Sequence, residues 1–178
     1  MKFNPKIHHR KSIRLKNYDY SQLGLYFITL CAEHGHCLFG MIQNDNMALN
    51  GAGNMIDSQW CELPNRFPSV VLHEYVVMPN HFHGIVELVE AIPCGCPSSD
   101  KADTKPAAAI GDVVGAFKSL STDEYIKNVK QNNWRPFAGK LWQRNYYEHV
   151  IRNEESYLKI AEYIQNNPLN WQKDKYFA

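Results

Sequence analysis

The stretch MPNHFHGIV, residues 78–86, sets two histidines one residue apart inside an apolar run, directly after a Pro-Asn pair. EYVVMP leads into it and GIVEL leads out of it. Both flanks are rich in β-branched residues, which predicts a strand on either side of a bend at Pro79-Asn80. Side chains alternate along a strand, so His81 and His83 share one face and Phe82 takes the other. That geometry suits Phe82 in a core and two imidazoles close enough to share a cation. A histidine on a strand is also commonly a satisfied core or surface group. Eight histidines in one chain make chance pairs ordinary, so the rest of the sequence has to decide.

The chain has 178 residues, enough for one domain with a core. Residues 1–178 therefore read as a single domain with a basic N-terminal arm over about 1–20. No apolar stretch is long enough to cross a bilayer. The start, MKFNPKIHHRKSIRLK, is basic with no apolar segment behind it, unlike a secretory signal. Five scattered cysteines suit reduced thiols in a cytoplasm. Cys94-Gly-Cys96 is tighter than the usual zinc spacing and reads as part of a loop. The net charge of +1 says little about partners. The arm says more: Arg10, Lys11 and Arg14 lie among further cations without an acid, which suits phosphate contacts or a solubilising terminus equally.

Working outward, Leu25–Glu33 and Cys37–Gln43 read as two strands joined in a hairpin, with Asn46–Leu49 as a short third. Residues 50–65 carry Met55, Ile56, Trp60 and Leu63 at helical spacing, with Pro64-Asn65 as the stop. Residues 70–78 and 82–89 are the strands around the histidines. Residues 91–109, rich in Pro, Ser and Ala, read as a flexible loop. Ile110 to about Lys130 is a helix, and Lys140–Arg144 is extended. A last helix starts at an Asn153 cap with Glu154 and Glu155 in its first turn, and runs to about Asn167 before Pro168. Tyr157, Ile160, Ala161 and Ile164 form its core face. Tyr163 and Asn167, four residues apart, fall together at the edge of that arc. Strand pairs interrupted by helices, without βαβ alternation, predict an α+β antiparallel sheet with helices packed mainly on one face.

Two imidazoles, a carboxamide oxygen and a phenol can then be assembled. Two histidines and an amide oxygen leave open positions on a cation. This suits Mg²⁺ or Mn²⁺ engaged with phosphate better than a closed structural zinc site. A phenol has a pKa near 10 and needs a strongly polarised target to act as a nucleophile.

MPNHFHGIV resembles the His-hydrophobic-His (HUH) motif of single-tyrosine transposases, and YIQNNP, residues 163–168, resembles the tyrosine helix of their REP-associated branch. The stretches WQRNYYEHVIRNEESYLKIAEYIQNNPLNW and HRKSIRLKNYDYSQLGLYFIT fit the same branch. The resemblance implies a ferredoxin-like HUH endonuclease fold, with His81 and His83 as metal ligands, Asn167 as the third ligand and Tyr163 as the nucleophile. It implies a metal-dependent single-stranded DNA endonuclease and strand transferase, a transposase acting at REP-like hairpins through a 5′-phosphotyrosine. Arg10, Lys11 and Arg14 would contact hairpin phosphates, Lys118 is a further phosphate candidate, and Trp142 and Arg144 would grip unpaired bases. For Trp142 core packing is an equal reading, and for Lys118 a solvated position is the preferred one. The resemblance implies single-stranded or hairpin DNA as the partner, with the protein acting as monomer or homodimer, and a cytoplasmic protein with no membrane partner is the expectation. Tyr146 and Tyr147 lack an amide four residues on, and Tyr157 points to the core. His73 reads as structural. Two other readings stay open: a hairpin-binding module without cleavage, and a zinc hydrolase, for which Glu87 is the nearest acid but lies further out along the strand.

Overall fold

The structure is a computed structural model, and it describes residues 19–90 and 108–177. Arg10, Lys11, Arg14, the Cys94-Gly-Cys96 triplet and nearly all of the 91–109 segment lie outside the described residues.

Four strands form one antiparallel sheet: β1 (Gly24–Cys31), β4 (Val70–Val77), β5 (His81–Leu88) and β6 (Tyr147–Ile151), in the order β4-β5-β1-β6. The two central strands are almost continuously buried because both faces of the sheet are covered. Tyr26, Ile28 and Leu30 of β1 and Phe82, Val86 and Leu88 of β5 face one core. Helices α1 (Gly51–Cys61) and α3 (Ile110–Gln131) close it, with Trp60 and Phe117 packed on the Phe82 ring at 4.5 and 5.3 Å between centroids. Gly84 is glycine for a steric reason: a Cβ there would lie 2.7 Å from the Trp60 ring.

The opposite face holds Phe27, Ile85 and Ile151, covered by Ala161 and Ile164 of helix α4 (Glu154–Gln165). The expected α+β fold class is the observed one. Helices α1 and α3 share one face, and α4 packs on the other, which is the histidine face.

The α4 start follows its sequence. The Asn153 side chain accepts from the Ser156 N–H at 2.8 Å, and Glu154 and Glu155 occupy the first turn. Asn153→Ala is expected to cost about 1 kcal/mol in urea unfolding. Asn153→Asp, which keeps an acceptor, should cost far less; a loss as large as that of alanine would show that the cap bond is not the cause.

Several boundaries differ from expectation. The hairpin between Leu25–Glu33 and Cys37–Gln43 does not form. Both edges of β1 are taken, by β5 and β6. His34 and Gly35, at φ 58° and 69°, turn the chain out of the sheet. Instead β2 (Gly40–Gln43) pairs with β3 (Asn46–Leu49) around Asn44-Asp45, whose φ values of 50° and 61° suit a tight two-residue turn. Pro64 does not end a helix but sits in the first turn of a short one, α2 (Leu63–Arg66), where its missing N–H costs nothing. Strand β6 went unrecognised because YEHVI carries little apolar alternation. The KLWQR segment gives only a bridge from Trp142 to Ala32. Helix α4 ends at Gln165, two residues before Asn167. Among the described residues no helix is long and apolar enough to cross a membrane.

Candidate metal and nucleophile site

His81 and His83 lie on the α4 face of β5, their rings 4.6 Å apart and only 0% and 1% exposed. Their orientation is set from behind. The Asn80 amide nitrogen donates to the carbonyls of Gly35 and Tyr176 at 3.0 and 2.7 Å, so its Oδ1 is the acceptor facing His81 Nδ1 at 2.9 Å. His81 therefore carries its proton on Nδ1 and presents a bare Nε2 lone pair. That Nε2 is buried with no hydrogen-bond partner. His83 Nδ1 lies 2.8 Å from the Thr29 hydroxyl on the neighbouring strand. With its proton there, its Nε2 lone pair also faces inward. Partners that fix the tautomer in this way are what metal-binding imidazoles require.

Helix α4 brings the other groups. The Tyr163 hydroxyl is 3.2 Å from His83 Nε2, and its ring meets the Phe27 ring edge-on at 6.2 Å. Tyr163 is 41% exposed, so its hydroxyl joins the buried imidazoles to solvent. Asn167 is 1% exposed; its Nδ2 donates to Asp174 at 3.1 Å, and its Oδ1 is buried without a partner. All four residues meet within one chain, without an exchanged helix from a second subunit.

Asp174 is the group that sequence reading missed. One oxygen of its carboxylate and one nitrogen from each of His81 and His83 all lie within 4.8 Å of one another. It comes from an irregular segment beyond the last helix, where no spacing rule links it to the histidines. Two orphaned buried acceptors, an inward-facing imidazole and a nearby carboxylate form a donor set that fits a divalent cation.

Burial pushes His81 down to about 4, against the opposing pull of Asp174 and Asn167. Burial first, and then its neighbour His81, holds His83 well below the usual range. Both rings are neutral at pH 7, the state that ligates. Burial, followed by the Asp174 charge, raises the Tyr163 phenol, so it is protonated at neutral pH. A depressed histidine means the unfolded chain takes up protons first. Stability is complete above about pH 6.5 and is lost as pH falls toward 4. His81, buried beside His83, contributes in this direction. Urea unfolding in chelator at pH 7 and 4.5 should show the loss, and a His81→Gln variant should show less of it. Equal stability at the two pH values would contradict this account of the site.

The remaining sequence candidates separate by position. Trp142 is 3% exposed, donates to Ser121 Oγ at 2.9 Å and packs on Phe39 and Phe117. It is a core residue with no ring face open to a base, which corrects the base-gripping expectation. The Lys118 ammonium donates to the carbonyls of Gln143 and Arg144 at 2.6 and 3.1 Å. It ties down that loop and is not the solvated lysine expected. Arg144 is exposed. His73 bonds Glu87 at 3.0 Å, and the Tyr157 hydroxyl donates to Glu74 at 2.5 Å. The Tyr157 phenol is pushed up to about 12, chiefly by that carboxylate. The irregularity in β4 between Leu72 and Tyr75 turns His73 and Glu74 toward α4 to make this cluster.

No family model matches the chain. A REP-associated tyrosine transposase bound to a REP hairpin aligns with a TM-score of 0.52 and 18% identity, over 88% of this chain and 73% of that one. The likeness extends to the fold. A Deinococcus radiodurans structure aligns at 0.45 with 16% identity, over 86% of this chain and 95% of that one. An uncharacterized Haemophilus influenzae protein is 45% identical over 183 residues, 99% of this chain and 98% of its own length. At that identity over nearly the full length of both, this chain belongs to one family with the Haemophilus influenzae protein.

Proposed function

We propose that this chain is a metal-dependent single-stranded DNA nicking and joining enzyme, a tyrosine transposase acting at hairpins. The observation that carries the reading is the Tyr163 hydroxyl 3.2 Å from His83 Nε2, beside the unpartnered His81 Nε2 and Asn167 Oδ1. A buried imidazole pair explains a cation, and a phenol half in solvent explains a nucleophile for a large substrate. The fold shared with a transposase bound to a REP hairpin supports the substrate class.

His81, His83 and Asn167 would hold Mg²⁺ or Mn²⁺. When bound, the ion supplies Lewis-acid polarisation of the scissile phosphate. Tyr163, which reaches solvent, attacks that phosphorus, and its proton passes to water. The new bond is a 5′-phosphotyrosine, and the 3′ oxygen leaves as a hydroxyl after taking a proton. A second 3′ hydroxyl reverses the step and joins strands, so the bond energy is kept and no external source is needed. A groove of about 450 Å³ lined by Phe27, Tyr147, His149, Ser156 and Ile160, with Lys159 and Glu155 ion-paired at 2.6 Å on its edge, offers the unpaired strand an aromatic wall. In this proposal residues 1–178 act as a single domain whose arm, through Arg10, Lys11 and Arg14, contacts hairpin phosphates, with Arg144 as a further contact.

Incubation with a labelled hairpin carrying single-stranded flanks, in Mn²⁺ or Mg²⁺, should give a band that survives denaturation. Chelator should remove it and either ion should restore it. Salt-sensitive binding with no adduct under any ion would favour the binding-module reading, and recovery by zinc alone the hydrolase.

A further inference from the structure

We infer that Asp174 is a ligand of this cation and that the C-terminal segment, residues 171–177, is a working part of the metal site. The inference rests on the metal-dependent reading above and adds a ligand and a linkage to it.

The segment is held over the histidines at several points. The Trp171 and Tyr176 rings lie 5.9 and 4.8 Å from the His81 ring. The Tyr176 carbonyl accepts from Asn80 Nδ2 at 2.7 Å, the same amide group whose Oδ1 sets the His81 tautomer. Asn80 thus fixes the imidazole and the segment together. Between these anchors, Asp174 Oδ1 accepts from the Tyr176 N–H at 2.7 Å, and Oδ2 accepts from Asn167 Nδ2 at 3.1 Å. Each carboxylate oxygen keeps a free lone pair. Asn167 can then do two jobs: its Nδ2 orients Asp174, while its unpartnered Oδ1 faces the site.

Charge supports the same assignment. Two neutral imidazoles and an amide carry no negative charge to offset a dication. Hard cations such as Mg²⁺ and Mn²⁺ favour carboxylate oxygen. Asp174 is the one acid among the described residues grouped with the two histidines at ligand distance. Lys175, the neighbouring cation, lies over the rings of Tyr176 and Tyr147, 4.7 and 5.7 Å from their centroids. A segment that merely covered the site would need no carboxylate aimed into it.

Cation binding and ordering of residues 171–177 are therefore linked, and each should strengthen the other. The test is calorimetric titration of the full chain with Mn²⁺, together with hydrogen exchange of the segment with and without the ion. Asp174→Asn, nearly isosteric, should weaken Mn²⁺ by at least about tenfold. A chain ending after Lys173 should match it. Mn²⁺ should slow exchange across residues 171–177 in the wild type, and far less in Asp174→Asn. Mn²⁺ affinity within about twofold of wild type in both variants, or unchanged exchange in a wild-type chain that binds the ion, overturns the inference and leaves the proposed metal site standing. A wild-type chain that binds neither Mn²⁺ nor Mg²⁺ overturns both.

Discussion

Tyr163→Phe should abolish the denaturation-resistant DNA adduct, a loss on the order of 10³-fold or more, because in the proposed reaction the phenol oxygen is the atom that bonds to phosphorus. Folding should survive. The ring contact with Phe27 is retained and only the 3.2 Å bond to His83 is lost. A half-exposed bond of that kind contributes about 1 kcal/mol. Hairpin binding should change little, since the arm and the groove are untouched. The competing phenols make the comparison sharp. The Tyr157 hydroxyl is committed to Glu74, and Tyr147 lies on β6 with its ring edge-on to Phe27 at 6.3 Å. Tyr157→Phe and Tyr147→Phe should keep the adduct. An adduct that persists in Tyr163→Phe and vanishes in Tyr147→Phe would move the nucleophile to the neighbouring strand.

Phe82→Ala carries the largest expected cost in stability, about 3–5 kcal/mol in urea unfolding. Phe82 is fully buried between Trp60, Tyr75 and Phe117, at 4.5, 6.0 and 5.3 Å between ring centroids. Removing the ring opens a cavity that three rigid aromatic neighbours cannot collapse to fill. Phe82→Leu should cost less, about 1–2 kcal/mol, and should leave Mn²⁺ affinity intact because both histidines occupy the other face of the strand. A cost below about 1 kcal/mol for the alanine variant would mean that the residue between the histidines is not the core anchor described. Together the two variants separate the roles packed into one triplet, with imidazoles for the site and a phenyl ring for the fold.

The alternation of His81, Phe82 and His83 was legible because a strand has a period of two, whatever it pairs with. The Asn153 cap and the Tyr163–Asn167 spacing were legible for the same reason. They are local geometry, set by a few neighbouring residues. The antiparallel α+β class followed from the order of such segments, and the structure has it. Strand partners were not legible in the same way. β1 had apolar residues enough to pair with Cys37–Gln43, but the chain turns away at His34-Gly35 and β1 pairs with β5 and β6 instead.

Trp142 and Lys118 show the same division. In sequence Trp142 suited a nucleic-acid surface or a core, and Lys118 a solvated position or a phosphate contact. Only packing against Phe39 and Phe117, and capture by two loop carbonyls, shows where they are spent. Asp174 lay furthest from reach, more than ninety residues from His81 in an irregular segment. Sequence alone determined which side chains share a face of one element, since that depends on backbone period. Tertiary structure decided which faces meet, since that depends on how distant segments exclude water together.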